Sequence, residues 1–217
     1  MGVSIPHTRL LSGRKQGPRM SYTHVFMALL FVAIPTASNA QHSLYTTLEF
    51  ETGCQVLYQI EEGSSVSLLC DGLPDYPVYL SDSDLRISMQ FGHVDSGRHI
   101  RQTFSAWNNI NTTIEWRFIS DAPVATILRW FIDNVDPETG SADPERRGQI
   151  LVVSSVAPIG GGDSCMVGFV DARENPNANL IARFIADNVA STFNCNADQP
   201  VYYGSVGPFA PNAPVGL

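Results

Sequence analysis

The sequence predicts an α+β domain: an antiparallel β-meander sheet of about six strands, one C-terminal amphipathic helix packed on it, and two disulfides. Three observations predict it. Segments between Cys54 and Val170 alternate apolar and polar residues with period two, as half-buried strands do. One later segment, Leu180 to Val189, repeats its apolar residues at helical spacing. Four cysteines, an even number, follow an N-terminal segment ordered like an export signal.

Residues 1–40 carry Arg9, Arg14, Lys15 and Arg19 with no acid, then the apolar run Val25 to Ile34, then Ser38-Asn39-Ala40. A basic head, a short apolar stretch and a small-x-small site make a secretory signal, with cleavage expected after Ala40. The alternative is a retained membrane anchor, but a bilayer crossing needs about 20 apolar residues, twice this run. Initiation at Met20 or Met27 fits the same pattern. The expected organisation is therefore a signal peptide over 1–40, a single domain over 41–199 and a flexible Pro/Gly-rich tail over 200–217.

Past the signal, 9 basic residues, all Arg, face 21 acids, a net charge of −12. Such a chain repels phosphate backbones and anionic lipid, so nucleic acid is not an expected partner. No Lys follows Lys15, which excludes a Schiff-base lysine, a phosphate-loop lysine and a Ser–Lys dyad. With 44% hydrophobic and 16% charged residues, the chain is neither disordered nor a Glu/Lys-rich bundle.

Along the chain, the first element is a hairpin. Cys54, Val56, Tyr58 and Ile60 alternate with polar or outward residues, Glu61-Glu62-Gly63 supplies a turn, and Ser64, Val66, Leu68 and Cys70 return. Pairing Ile60 with Ser64 sets Tyr58 against Val66, Val56 against Leu68 and Cys54 against Cys70. Residues 71–77 read as a turn-rich connector, and Leu85, Ile87, Met89 and Phe91 share one strand face. Residues 92–111 show no period and read as a long loop. Thr113 to Phe118 and Thr126 to Ile132 form a hairpin about Asp121-Ala122-Pro123, in a register that sets Glu115 across from Arg129. Asn134 to Arg147 is an exposed loop, Gly148 to Val156 a central strand apolar on both faces, and Cys165 to Val170 the last strand. Asn175 is the expected N-cap and Pro176 the first residue of a helix reaching about Phe193, with Arg183 and Asp187 paired on its outer side.

The cysteine pairing comes from this layout. Cys54 and Cys70 face each other in the hairpin. The strand from Cys165 advances about 20 Å and the helix returns about 22 Å, which brings Cys195 back to Cys165. Zinc is the alternative, but no close C-x₂-C pair exists.

Catalytic and binding candidates are few. His93, Asp95 and His99 form the one acid–histidine cluster, able in principle to hold a metal or move protons, and Trp107 lies in the same loop as a ligand-binding candidate. Asp133, Asn134, Asp136 and Glu138 offer oxygens but not the order of an EF-hand, and a solvated loop explains them. Neither G-x-S-x-G, H-E-x-x-H nor G-x-G-x-x-G occurs, and Gly160-Gly161-Gly162 lacks the following helix of a phosphate loop. Asn111-Thr112-Thr113 is a glycosylation sequon that matters only in a eukaryotic host. No metal and no cofactor is expected.

Trp107-Asn108, Thr113 to Arg117, Arg129 to Asn134, Gly148 to Ser154 and Val167 to Ala172 together resemble uncharacterised exported proteins of Gram-negative bacteria, over about half of the chain. The resemblance implies a periplasmic address and carries no activity, cofactor or site. The expected function is that of a periplasmic or secreted binding or structural module without enzymatic activity, taking a protein or small ligand. The alternative is a hydrolase built on the loop 91–111, which requires His93 and His99 to converge in a pocket with Trp107.

Overall fold

The computed structural model describes residues 41–60, 64–95, 102–212 and Pro214, besides the isolated Met1 and Gly17. The chain divides into compact units 1–37 and 38–217, and the strands and helix all belong to the second. The expected signal and its cleavage site, the turn 61–63 and His99 lie outside the described residues.

The strands are β1 (Gln41–Thr47), β2 (Cys54–Gln59), β3 (Ser65–Leu73), β4 (Tyr76–Ser83), β5 (Arg86–Val94), β6 (Trp107–Ile110), β7 (Thr113–Ile119), β8 (Ala122–Asp133), β9 (Gly148–Gly162), β10 (Met166–Asp171) and β11 (Val201–Tyr202), with helix α1 (Ala178–Asn188) before the last. Among the described residues they form one eleven-stranded sheet whose main path runs β1-β7-β8-β9-β5-β4-β3-β2, with β6 beside β8 and β10-β11 beside β9. The expected six-stranded antiparallel meander is thus replaced by a larger, mixed sheet. β5 pairs β9 and β10 pairs β11 in parallel.

The sheet must curl. Laid flat, eight strands at about 4.8 Å spacing would hold β1 and β2 about 34 Å apart. Yet β1 and β2 are joined by 48–53 alone, and the seven Cα steps from Thr47 to Cys54 reach at most about 25 Å. The resulting half-barrel closes on an inner core. Phe91 packs edge-on against Trp116 at 5.8 Å, and Phe104 against both Trp130 at 5.6 Å and Phe169 at 5.5 Å. Gly72 shows how near the opposite walls come: a Cβ there would lie 2.9 Å from Trp116 Cζ2 and 2.3 Å from the Tyr76 carbonyl.

A second core lies outside the curl. Ile127, Leu151, Val153, Val167 and Val170 point away from the barrel and are covered by α1 through Ala182, Ile185 and Ala186. The middle strands are therefore buried on both faces, as the two-sided apolar sequence of Gly148–Val156 predicts. The helix presents part of the expected stripe, with Ile185 buried on the sheet and Ile181 and Val189 packed against it. Ala178, Ala182, Ile185 and Ala186 face the sheet, while Leu180 and Phe184 remain 65% and 57% exposed. Alanines let the helix axis sit close to the sheet, and the bulky pair then falls outside. Asn177, not Asn175, occupies the N-cap.

Tight turns account for most other departures. Tyr76–Ser83 is a strand, not part of a connector, because Pro74-Asp75 turns the chain in two residues, with Asp75 at φ 66°. Asp84 and Leu85 take φ 52° and 59°, a type I′ pattern, so Leu85 is a turn residue and 61% exposed. Ser120-Asp121, with Ser120 at φ 56°, shortens the next hairpin and places Glu115 opposite Ile127 instead of Arg129. The β2–β3 register keeps Cys54 opposite Cys70 and Val56 opposite Leu68. A bulge at Leu57 then sets Tyr58 against Ser67.

Both expected disulfides form, Cys54–Cys70 and Cys165–Cys195, with Cα atoms 4.0 and 5.8 Å apart.

The segment after Pro200, expected as a flexible tail, makes specific contacts up to Pro211. Val201 and Tyr202 add a parallel edge to β10, and Tyr202 donates to the Pro211 carbonyl at 2.9 Å. The Phe209 ring lies under the guanidinium groups of Arg173 and Arg146, at 4.8 and 5.6 Å. Asn175 holds Ser205 through both its amide atoms. Single anchors of this kind leave no periodicity to read.

Candidate functional site

The expected acid–histidine site is not assembled by the described residues. His93 Nε2 donates to the Asp75 carbonyl, with the Tyr76 ring edge-on to the imidazole at 6.0 Å. It thereby pins the turn that β3 and β4 share. Asp95 is exposed, and its backbone N–H donates to Gly162 at 3.2 Å. Trp107 lies elsewhere. Its neighbour Asn108 accepts from the Ile87 N–H at 3.0 Å and donates its own N–H to the Leu85 carbonyl at 2.9 Å. That is the opposite end of β5, about 20 Å from His93 at strand spacing. The two candidates cannot line one pocket.

The acidic loop after β8 spends its oxygens locally. Asp133 accepts from Asn109 at 3.1 Å and pairs with Arg147 at 3.1 Å. Asp136 caps its own turn through the Glu138 N–H at 2.7 Å. Asn134 donates to the Arg146 and Phe209 carbonyls at 2.9 and 3.0 Å. Among the described residues, no group of three or more His, Cys, Asp or Glu is placed to hold a metal ion.

Sequence reasoning missed a buried charge network between α1 and the outer face of β7. Arg117 reaches Asp187 with two guanidinium nitrogens at 2.8 and 2.7 Å. Glu115 accepts from Arg183 at 2.7 Å and from the Ser43 hydroxyl at 2.6 Å. Arg183 also donates to the Tyr45 hydroxyl at 3.1 Å. Burial alone would raise the Glu115 carboxyl; the hydrogen bonds from Arg183 and Ser43, with the charges of Arg183 and Arg117, outweigh it and hold the group below its ordinary value. The signal was present in the sequence: opposite charges two apart on the strand match opposite charges four apart on the helix. The network ties the helix to the sheet, and its groups pair with one another and not with a vacant space.

The surface that does stand open is β2. It ends the sheet path, so among the described residues one of its edges has no neighbouring strand. Val56, Leu57, Tyr58 and Ile60 are 54%, 51%, 60% and 38% exposed, where one buried face was expected. Between Cys54 and Ile60 there is no charge and no proline, the devices with which edges are usually blunted. An open cleft of about 600 Å³ adjoins the Cys54 end, bordered by Thr52, Gly53, Asp71, Asp75 and Tyr76. A second, of about 540 Å³, lies at the Cys165–Cys195 end between Pro123, Val156, Pro158 and Phe193.

Among the described residues, no helix is long and apolar enough to cross a membrane. No family model, no curated protein and no solved structure matches the chain.

Proposed function

We propose that this is an exported binding module, periplasmic or secreted, that receives an extended segment of a partner protein along the free edge of β2. The observation that carries the reading is that edge: apolar, uncharged, exposed on both faces and, among the described residues, without a neighbouring strand. A row of free backbone N–H and C=O groups flanked by apolar side chains is what strand addition requires. Two disulfides, the basic–apolar–small order of residues 1–40 and the resemblance to exported proteins support the address.

Site-specific photocrosslinking in the producing cell tests the reading. A photoreactive residue at Val56 should give one adduct of defined mass, and the same residue at Glu138 on the acidic loop should give none. Equal yields at both positions, or none at Val56, would sink it. For the address, N-terminal sequencing of chain recovered from the envelope should start at Gln41. An intact N-terminus in the cytosol would refute export.

A further inference from the structure

We infer that the Cys165–Cys195 disulfide is a thiol-exchange site: a small apolar thiol enters the cleft beside it and is held as a mixed disulfide on Cys195. The inference is independent of docking along β2.

The two sulfurs differ in access. Cys165, just before β10, is 2% exposed. Cys195, after the helix, is half-buried and lines the cleft of about 540 Å³. An attacking thiolate must reach its sulfur, so Cys195 is the sulfur attacked and Cys165 the one released. A thiolate released among apolar groups leaves slowly unless something stabilises it. Ser155 is placed to do so. Its Oγ lies 3.7 Å from the Cys165 sulfur and 3.6 Å from that of Cys195. The Cys165 N–H donates to this oxygen at 3.0 Å, so the hydroxyl hydrogen turns to the Cys165 carbonyl at 3.4 Å or to a sulfur. Of these acceptors a Cys165 thiolate is the strongest, because it is charged.

The entering thiol gives its proton to solvent and its sulfur bonds to Cys195 Sγ. The old S–S bond breaks with its electron pair on Cys165 Sγ, which accepts the Ser155 O–H. One disulfide replaces another, with no net oxidation or reduction. Both cysteines stay in place afterwards. Ser155 N–H donates to the Cys165 carbonyl at 2.9 Å, and Asn196 holds the Cys195 segment to Asp163 at 2.8 Å. Cys165 can therefore attack Cys195 Sγ in return and expel the thiol, which makes the loading reversible.

The walls select the thiol. Pro123, Val156, Pro158 and Phe193 offer apolar surface, and the one carboxylate at the border, Asp163, already accepts from Asn196. An apolar body gains by burial there, and an anionic one meets a like charge. The cleft at Cys54–Cys70 is bordered by two carboxylates, Asp71 and Asp75, which turn thiolates away from that bond.

The test uses the chain with both disulfides formed. It is exposed to benzyl mercaptan or to glutathione at equal thiolate concentration, quenched in acid, and mapped by mass spectrometry of a digest. Benzyl mercaptan should load Cys195 at least about tenfold faster than Cys54 or Cys70, and at least about tenfold faster than glutathione does. Ser155→Ala should slow loading by about tenfold, the worth of a hydrogen bond to a charged group. The purified mixed disulfide should expel its thiol at a rate that rises with pH as Cys165 ionises, and Ser155→Ala should move that rise to higher pH. A merely structural Ser155 would alter the melting temperature and leave that pH profile unchanged. If Ser155→Ala does not fold, Ser191→Lys, at an exposed position lining the cleft, should speed glutathione onto Cys195 at least about threefold and leave Cys54–Cys70 unaffected.

Equal loading of the two disulfides, an adduct on Cys165 in place of Cys195, or loading only in denaturing urea would overturn the exchange site. Equal rates for the two thiols at Cys195 would overturn the apolar selection. A Ser155→Ala chain with the parent's rate and pH profile would overturn the part given to the hydroxyl.

Discussion

Arg117→Met should be among the most damaging single changes on the outer face of the sheet. The side chain is 9% exposed, its Asp187 partner 11%, and Glu115 10%. Removing the guanidinium takes away both bonds to Asp187 and one to Ser43. It strands a carboxylate between helix and sheet. Breaking a buried pair from one side costs about 3–5 kcal/mol, because the remaining charge is neither solvated nor matched. For a domain of this size each kcal/mol moves the melting temperature by about 2–4 °C, so a drop of about 6–20 °C is expected. Replacing both partners, Arg117→Met with Asp187→Leu, leaves no stranded charge and should return stability to within about 1 kcal/mol of the parent. Arg183 is 36% exposed, so its share is screened, and Arg183→Met should cost less than Arg117→Met. Urea and thermal unfolding followed by circular dichroism at neutral pH measure all four proteins. A single Arg117 variant within about 1 kcal/mol of the parent, or a double variant as weak as the single, would refute the stranded-charge reasoning.

Other parts of the molecule give three further expected outcomes. Glu115 has its pKa held below the ordinary value, so it contributes stability above about pH 4.5 that is lost as pH falls through the folded-state pKa; Glu115→Gln should flatten the acid limb of a stability–pH profile, and an unchanged limb would contradict this. Truncation before Pro200 removes β11 and the Phe209 anchor, uncovering Phe169 and Gly148, and should lower the melting temperature by at least about 5 °C in calorimetry; a shift below about 1 °C would mean these contacts contribute nothing. Gly72→Ala should cost about 1–3 kcal/mol in urea unfolding, because a Cβ there meets the Tyr76 carbonyl and the Trp116 ring with no room to shift; a neutral substitution would show that the two walls stand further apart.

Much of the local structure was legible. Cys54 and Cys70 could be paired because both lie in one hairpin, and Cys165 and Cys195 because strand rise and helix rise nearly cancel over a short span. The two-sided burial of Gly148 to Val156 could be read from an unbroken apolar run. The candidate edge was not legible, because the alternation from Cys54 to Ile60 reads as a strand with one buried face. The bulge at Leu57 and the terminal place of β2 in the sheet turn that face outward.

What alternation within a segment determines is that a strand forms and which residues share a face. It carries no information about which distant strand will lie alongside, since any edge offers the same backbone groups. The parallel pairing of Phe91 with Val156, the capture of Glu115 by Arg183 in place of Arg129, and the choice of alanines over Leu180 and Phe184 as the helix's inner face were therefore settled only in the tertiary structure. Two-residue turns at Pro74-Asp75, Asp84-Leu85 and Ser120-Asp121 set the registers. The six-residue link from β1 to β2 then forces the sheet to curl until its far strands share one core.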